Sequence, residues 1–482
     1  MGILQNLYTA VTVLNFFFAA AVVFLERRNV GVTWAWVMVL LFLPGVGFIL
    51  YLILGQNLSR RKIYRISAEN RLRLQALQRA QQFRFTESRI VFNDPAMADY
   101  RDMMYMNLMG GHAFFTQDNE VDIFTEGRTK FDALLRDIER AEDHIHLMYF
   151  IIRNDVCGRR LIESLALKAL DGVEVRLLYD HIGCSALPDG FFEPLAAAGG
   201  YVAAFFPSRI RYLNLRVNYR NHRKLAIIDG KYGYVGGLNV GDEYMGLDPR
   251  FGFWRDTHLR VSGGAVLEMQ RQFMLDWNLS CPARAIEEEP RYFPQHAGFG
   301  QVGMQVVASG PDQELEQIKN GFIKMIHAAK STVSIQTPYF IPDESLLNAM
   351  RIAALSGVDV RIMIPSRPDH KMVYWATYSY LSDLLKAGVK CYLYEKGFLH
   401  AKSVIVDGKI ASVGTANIDI RSFKLNFEVN AFLFDSRAAE RLARIFEEDM
   451  AECAELTPGR YKARPVHMKI LESFARLLSP IL

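Results

Sequence analysis

Two stretches of the chain are written almost alike: Asn221-His222-Arg223-Lys224-Leu225-Ala226-Ile227-Ile228-Asp229-Gly230-Lys231 and Leu399-His400-Ala401-Lys402-Ser403-Val404-Ile405-Val406-Asp407-Gly408-Lys409. His, Lys and Asp keep the same offsets, and each stretch continues to a matching Gly and Asn, in Gly236-Gly237-Leu238-Asn239 and Gly414-Thr415-Ala416-Asn417. One His-x-Lys is common by chance; two copies with equal spacing and equal surroundings are not. The apolar residues after each Lys predict a strand, on which His222 and Lys224 share one face, as do His400 and Lys402. Asp229-Gly230 and Asp407-Gly408 predict tight hairpin turns, so the return segment brings Asn239 and Asn417 back beside the His-Lys face. Downstream, Asp256 heads Thr257–Val261 and Glu428 heads Val429–Leu433, each placed to hold an imidazole nitrogen and fix its tautomer.

The copies lie inside a larger repeat. A helix over 131–141, a strand over 144–152, a second helix over 161–170 and Asp171-Gly172-Val173-Glu174-Val175 lead into the first motif. The same order recurs as 318–329, 332–341, 346–355 and Ser356-Gly357-Val358-Asp359-Val360. Strands alternating with helices predict an α/β fold with a mainly parallel sheet, in two similar halves about a pseudo-twofold axis. Periodicity lapses over 281–303, which sets the halves at 93–290 and 291–482.

Ahead of them, 7–25 and 33–54 are uncharged apolar runs, each long enough at about 20 residues to cross a bilayer. They predict a transmembrane helical hairpin over 1–58 and a basic juxtamembrane segment over 59–92. No Lys or Arg precedes the first run, which argues against a signal peptide. Pro44-Gly45-Val46-Gly47 either kinks the second span or makes it a re-entrant pair, and the sequence leaves both open. Net charge is +1 over 1–58 and +7 over 59–92, which leaves −4 for the remainder of a chain that totals +4. The positive-inside bias puts the basic segment, and the two halves after it, in the cytoplasm. Arg60, Arg61, Lys62, Arg65, Arg71 and Arg73 suit contact with an anionic lipid membrane.

A remainder at −4 disfavours nucleic acid as a partner. Hydrophobic residues at 50% exclude a disordered chain. Five separated cysteines without a Cys-x-x-Cys point away from a disulfide framework or a zinc ribbon.

Two histidines can share phosphoryl transfer: one attacks phosphorus while the other protonates the leaving alkoxide. Lys224 and Lys402 would neutralise phosphate oxygens, and Asn239 and Asn417 would donate to them. The duplicated motif resembles that of the phospholipase D superfamily. Residues Trp34 … Pro44 … Gly47 … Tyr51 … Gly55, Thr337-Pro338-Tyr339-Phe340-Ile341-Pro342, Arg421-Ser422 … Asn426-Phe427-Glu428 and Leu478-Ser479-Pro480 are most similar to bacterial cardiolipin synthases. The resemblance implies two phospholipase-D-like halves and a phosphatidyltransferase that makes cardiolipin and glycerol from two phosphatidylglycerol molecules. It implies a phosphatidyl-histidine intermediate, no cofactor, no metal, and a multi-pass protein of the bacterial inner membrane. The alternative is a phospholipase D that hydrolyses phospholipid to phosphatidic acid.

The catalytic set so implied is His222, Lys224, Asp229, His400, Lys402 and Asp407, with His222 as nucleophile and His400 as acid–base. Asn239, Asn417, Asp256 and Glu428 bind phosphate or orient. Residue spacing favours a simpler role for Asp229 and Asp407, closing their turns. Gly237 and Thr415 stand where that superfamily often has serine, so a hydroxyl ligand to phosphate is available only from Thr415.

Outside this set, His144 and His146 share a strand face, but with only Glu142 near them a metal site is disfavoured. Arg209, Arg211, Arg216, Arg220 and Arg223 form a basic run suited to solvent or to lipid headgroups. Lys469, Phe474, Arg476, Leu477, Leu478, Ile481 and Leu482 make the C-terminus amphipathic, with interior and membrane-surface docking both open. Oligomerisation is left open.

Overall fold

The computed structural model describes residues 2–25, 30–43, 45–54, 63–207, 218–295 and 300–479. The first half contains β1 (Thr116–Glu126), β2 (His144–Tyr149), β3 (Glu174–Asp180), β4 (Tyr201–Phe205), β5 (Arg220–Asn221), β6 (Leu225–Ile228), β7 (Tyr232–Gly236) and β8 (Phe253–Ser262). The second contains β9 (Val302–Ser309), β10 (Thr332–Gln336), β11 (Phe340–Ile341), β12 (Asp359–Pro365), β13 (Lys390–Tyr394), β14 (Gly397–Leu399), β15 (Ser403–Val406), β16 (Ile410–Gly414), β17 (Ile418–Asp419) and β18 (Asn426–Phe434). The repeat is structural: β4-β3-β2-β6-β7-β8-β1 in one half is matched by β13-β12-β10-β15-β16-β18-β9 in the other. The outermost β1 and β9 pair with each other, antiparallel, and join the halves.

The sheet is mixed, not mainly parallel. Within these two seven-stranded runs only β2-β3-β4 and β10-β12-β13 run parallel, while every pairing from β2 through β6, β7 and β8 to β1 is antiparallel. The Asp-Gly hairpins supply one such reversal in each half, β6–β7 and β15–β16, because a two-residue turn can only reverse the chain. Asp229 and Gly230 have φ of 51° and 62°, and Asp407 and Gly408 have 54° and 62°. Two successive residues in the left-handed region define the turn that matches strand twist, and Asp and Gly tolerate it best.

The two carboxylates also fasten these turns. Asp229 accepts from the backbone N–H of Glu142 (3.0 Å), Asp143 (2.8 Å) and His144 (3.0 Å). Asp407 does the same for Lys330 (2.7 Å), Ser331 (2.8 Å) and Thr332 (2.8 Å). Each therefore ties its hairpin to the head of the neighbouring strand, at the end remote from the histidines, which is the turn-closing role.

Strand alternation gives the sheet two faces. Ala226 and Ile228 pack with Leu134, Ile138, Leu161 and Leu165 under the helices of their own half. Leu225 and Ile227 point the other way, into a core shared with Leu399, Ile405, Val413 and Val429 of the second half. Fully burying one such side chain stabilises by about 1.5–3 kcal/mol, so the shared core holds the halves together. The apolar side chains of residues 97–108 enter the core of the second half: Met97, Tyr100, Met104 and Leu108 share a cluster with Val307, Ile318, Phe322 and Val333.

The apolar N-terminus forms α1 (Gly2–Leu25), α2 (Val30–Phe42) and α3 (Val46–Leu54). The second apolar run is not one helix. Gly45 is left-handed at φ 79°. α3 folds back on α2: Trp36 meets Tyr51 edge-on at 5.3 Å, and a Cβ on Gly47 would lie 2.5 Å from the Val39 carbonyl oxygen. Only glycine permits that approach. The Asn15 amide donates to the Leu40 carbonyl, and Phe18 stacks on Phe48 at 4.1 Å, joining α1 to the pair. Among the described residues no helix is long and apolar enough to cross a membrane, and the two-span hairpin expected over 1–58 is not shown. In the basic segment, 60–62 lie outside the described residues. Helix α4 (Ala68–Thr86) is fastened to the body by Gln81, which exchanges two hydrogen bonds with the Phe115 backbone, and Arg73 pairs with Glu288.

Asp229→Ala should lower unfolding stability by about 1–3 kcal/mol, the range for stranding buried backbone donors, and Asp407→Ala should do the same. Denaturant titration checks this. A variant that loses turnover at unchanged stability would return these carboxylates to the chemistry.

Candidate active site

The two motif copies meet because each leaves its own half. β5, which delivers His222, pairs in parallel with β18 of the other half, Asn221 beside Phe427. β14, which delivers His400, pairs in parallel with β8, Leu399 beside Arg255. The backbone N–H of His222 donates to the Phe427 carbonyl (2.9 Å), and that of His400 to the Arg255 carbonyl (2.7 Å). One residue further along those strands stand Glu428 and Asp256. Glu428 takes His222 Nδ1 at 2.9 and 3.0 Å, and Asp256 takes His400 Nδ1 at 2.6 Å. Each histidine is held by the carboxylate of the opposite half. A carboxylate can only accept, so both rings carry their proton on Nδ1 and keep Nε2 as a lone pair.

Further groups fix the carboxylates. The Thr415 hydroxyl donates to Glu428 Oε2 (2.5 Å), and Asn426 Nδ2 donates to Oε1 (3.2 Å). Thr415 is therefore not a free phosphate ligand; its hydroxyl is spent on the group that holds His222. In the other half a Cβ on Gly237 would sit 2.1 Å from Asp256 Oδ1, so glycine stands there for space. Ring contacts complete the frame: Phe150 lies 4.9 Å from His222, and Trp254 lies 5.2 Å from His400. Thr415, Asn426, Phe150 and Trp254 were not assigned these roles from sequence; the Gly237/Thr415 mismatch between the copies was the one visible trace.

Lys224 and Lys402 are buried beside the rings and donate to the backbone carbonyls of His222 (2.7 Å) and His400 (2.5 Å). Burial pushes the His222 imidazole down to about 4, against the pull of Glu428 and with the help of Lys224 and Lys402. Burial and Lys402 lower His400 as well, against Asp256. Burial brings Lys402 down to about 8 and drives Lys224 well below the usual lysine range. Burial alone would raise Asp256 and Glu428, but His400 and Lys402 hold the first below the usual carboxylate range, and His222 and Lys224 the second. The Lys402 charge is felt at His222 and the Lys224 charge at His400, so both copies form one centre.

The asparagines are less free than their spacing suggested. Asn239 Oδ1 accepts from Ile151 N–H (3.2 Å), and the Asn417 side chain reaches Asp419. Arg220 and Arg223 are not lipid-facing: both are buried, Arg220 on Asp180 (3.4 Å) and Arg223 on Asp276 (2.7 Å), where neutralising an interior carboxylate outweighs reaching water. Arg209, Arg211 and Arg216 lie outside the described residues. His144 and His146 are core residues against Tyr292 and Phe273, bonded to Asp143, Gln270 and Glu174. No group of three His, Cys, Asp or Glu among the described residues could hold a metal.

A family profile described as "Cardiolipin synthase, PLD-like domain" matches residues 134–249 and 322–450, one copy in each half. The major cardiolipin synthase ClsA of Bacillus subtilis is 52% identical over 482 residues, covering 100% of both chains. The chain belongs to the cardiolipin synthase family. A second profile, "Phospholipase_D-nuclease N-terminal", matches 13–56. The cardiolipin synthase of Listeria welshimeri is 51% identical, again over 100% of both chains. Among solved structures, phosphatidylserine synthase of Haemophilus influenzae superposes with a TM-score of 0.58 at 15% identity, covering 75% of this chain and 95% of that one, a likeness of fold.

Two predictions follow from the geometry. Thr415→Val keeps the shape but frees one lone pair of Glu428, so turnover should fall about tenfold while Glu428→Gln, which cannot accept at both oxygens, falls further, within the roughly 10²–10⁴ range of acid–base groups. Initial rates on vesicles check the order. The second concerns acid. Between the ordinary 6.5 and about 4 the unfolded chain binds a proton at His222 that the folded chain refuses, so the stability this group contributes falls as pH falls through that window. His222→Asn should flatten the unfolding midpoint against pH there; an unchanged slope would mean His222 titrates normally in the fold.

Proposed function

We propose that this chain joins two phosphatidylglycerol molecules into cardiolipin and releases glycerol, through a phosphatidyl group carried on His222. The observation that carries the reading is the pair of histidines, each backed by the other half's carboxylate and flanked by a buried lysine. His222, pushed to about 4, is neutral at pH 7 and offers Nε2 as nucleophile. It attacks phosphorus; the P–O bond to the headgroup glycerol breaks and the P–N bond forms. The leaving oxygen takes its proton from His400. A phosphodiester anion in the site favours the charged imidazole, offsetting the burial that depresses His400. In the second half-reaction the headgroup hydroxyl of another phosphatidylglycerol gives its proton to His400 and attacks phosphorus; the P–N bond breaks and His222 is restored. Lys224 and Lys402 balance the non-bridging oxygens throughout. Asn239 and Asn417 adjoin these groups as further donors.

The apolar N-terminal arm anchors the enzyme at a bacterial membrane, and the basic segment behind it keeps the catalytic body on the cytoplasmic side. Anchoring matters to the chemistry. Water is a competing acceptor, and transfer prevails only where the second lipid is held at the phosphorus and water is kept out.

Purified enzyme in phosphatidylglycerol vesicles, without nucleotide, should give cardiolipin and glycerol in near-equal amounts, and added glycerol should reverse the reaction. His222→Ala and His400→Ala should each abolish turnover. Phosphatidic acid as the main lipid product would make the protein a phospholipase D instead. Full activity in either histidine variant would overturn the single shared site.

A further inference from the structure

The second half ends in two helices that catalysis does not use, Pro458–Lys462 and Val466–Leu477. The latter packs against helix Lys371–Lys386 through buried Glu472 and Ala475. Arg476 crosses to Asp383 (2.9 Å) and to the Ser379 carbonyl (3.3 Å). Its opposite face is apolar and bare: Val466, Ile470, Phe474 and Leu477 are 71%, 64%, 59% and 77% exposed. At 3.6 residues per turn these four fall within about 80° of arc, one continuous stripe. Beside it a cleft of about 580 Å³ opens between the three helices, lined by Ser382, Lys386, Lys462, Lys469 and Ser473 among others.

Charge gives the cleft its sign. Arg464 is taken by Glu472, and Arg476 and Lys386 share Asp383. Among the described residues Lys462 and Lys469 have no carboxylate within ion-pair distance, and Lys469 Nζ only caps the Lys462 carbonyl (2.9 Å). Two ammonium groups without an ion-pair partner among the described residues border an apolar stripe. We propose that this C-terminal unit is a second lipid site: the cleft takes the phosphate of an anionic phospholipid, and the stripe lies among the acyl chains of the same leaflet. A helix lying flat in the interface needs this division, an apolar face outward and cations at its edges. The inference goes beyond the catalytic reading and does not depend on which lipid is turned over.

The test uses the full chain carrying Ile470→Cys labelled with nitrobenzoxadiazole, in a His222→Ala background so that lipid composition stays fixed. The signal is read against equally treated protein without the new cysteine. In nanodiscs of phosphatidylcholine with phosphatidylglycerol, emission should rise severalfold and shift to the blue; in phosphatidylcholine alone it should stay water-like. Lys462→Ser with Lys469→Ser should weaken the phosphatidylglycerol dependence roughly twentyfold at low salt, about fivefold for each cation lost from an anionic surface. Inorganic phosphate added to phosphatidylcholine discs should leave the emission unchanged. Equal emission in both discs, or a rise produced by inorganic phosphate alone, overturns the lipid site. A rise that follows protein concentration and not phosphatidylglycerol also overturns it, and makes the stripe a contact between copies of this chain.

Discussion

Everything at the centre depends on an exchange: Glu428 holds His222 and Asp256 holds His400, each across the boundary between halves. The exchange requires β5 and β14 to leave their own sheets and pair with β18 and β8. That in turn requires the two sheets to face each other across one shared core, with Leu225 and Ile227 meeting Leu399 and Ile405. Neither half alone contains a complete histidine–carboxylate pair. The duplication is thus one site built twice over by reciprocal donation.

The same arrangement resolves an electrostatic conflict. Two lysines buried near two histidines disfavour charge on any of the four, and burial adds to that. Glu428 and Asp256 supply two negative charges among them, which keeps the folded site tolerable in the absence of substrate. The carboxylates are committed to Nδ1; Lys224 Nζ meets the His222 carbonyl, and Lys402 Nζ meets the His400 carbonyl and ring Nδ1, so among the described residues neither ammonium has a carboxylate in ion-pair contact and their charge is left for an incoming phosphodiester.

Much of this was legible beforehand, for identifiable reasons. The His, Lys and Asp offsets are local, and strand alternation turns them directly into a shared face, so motif, hairpins and repeat survive in the structure. What failed was non-local. Alternating helices and strands suggest parallel pairing, but each Asp-Gly turn inserts an antiparallel hairpin into the sheet. Arg220 and Arg223 read as a basic surface because Asp180 and Asp276, which bury them, lie far away in sequence. No spacing rule could tell that Asp256 serves the histidine of the other copy. At the second apolar run Pro44-Gly45-Val46-Gly47 left a kinked span and a re-entrant pair both open, because hydropathy does not register a reversal such as the one at Gly45 and Gly47.

The halves also differ where they should be equal, and the difference supports dividing the roles. Glu428 accepts from His222, Thr415 and Asn426, whereas Asp256 accepts from His400 and the Thr257 N–H (2.7 Å). A carboxylate sharing its lone pairs among more donors is a weaker base and pulls less on the imidazole proton. The distances follow, 2.9–3.0 Å at His222 against 2.6 Å at His400. The looser pair suits His222 to the nucleophile's part in the proposed mechanism, as the less basic ring. The tighter pair suits His400 to the proposed acid–base part, which requires it to hold a proton when an anion arrives and return it to the leaving oxygen. In the proposed mechanism, where His222 attacks and His400 is the acid–base, the two copies of one motif differ through the neighbours of their carboxylates, with Thr415 opposite Gly237 as the substitution that separates them.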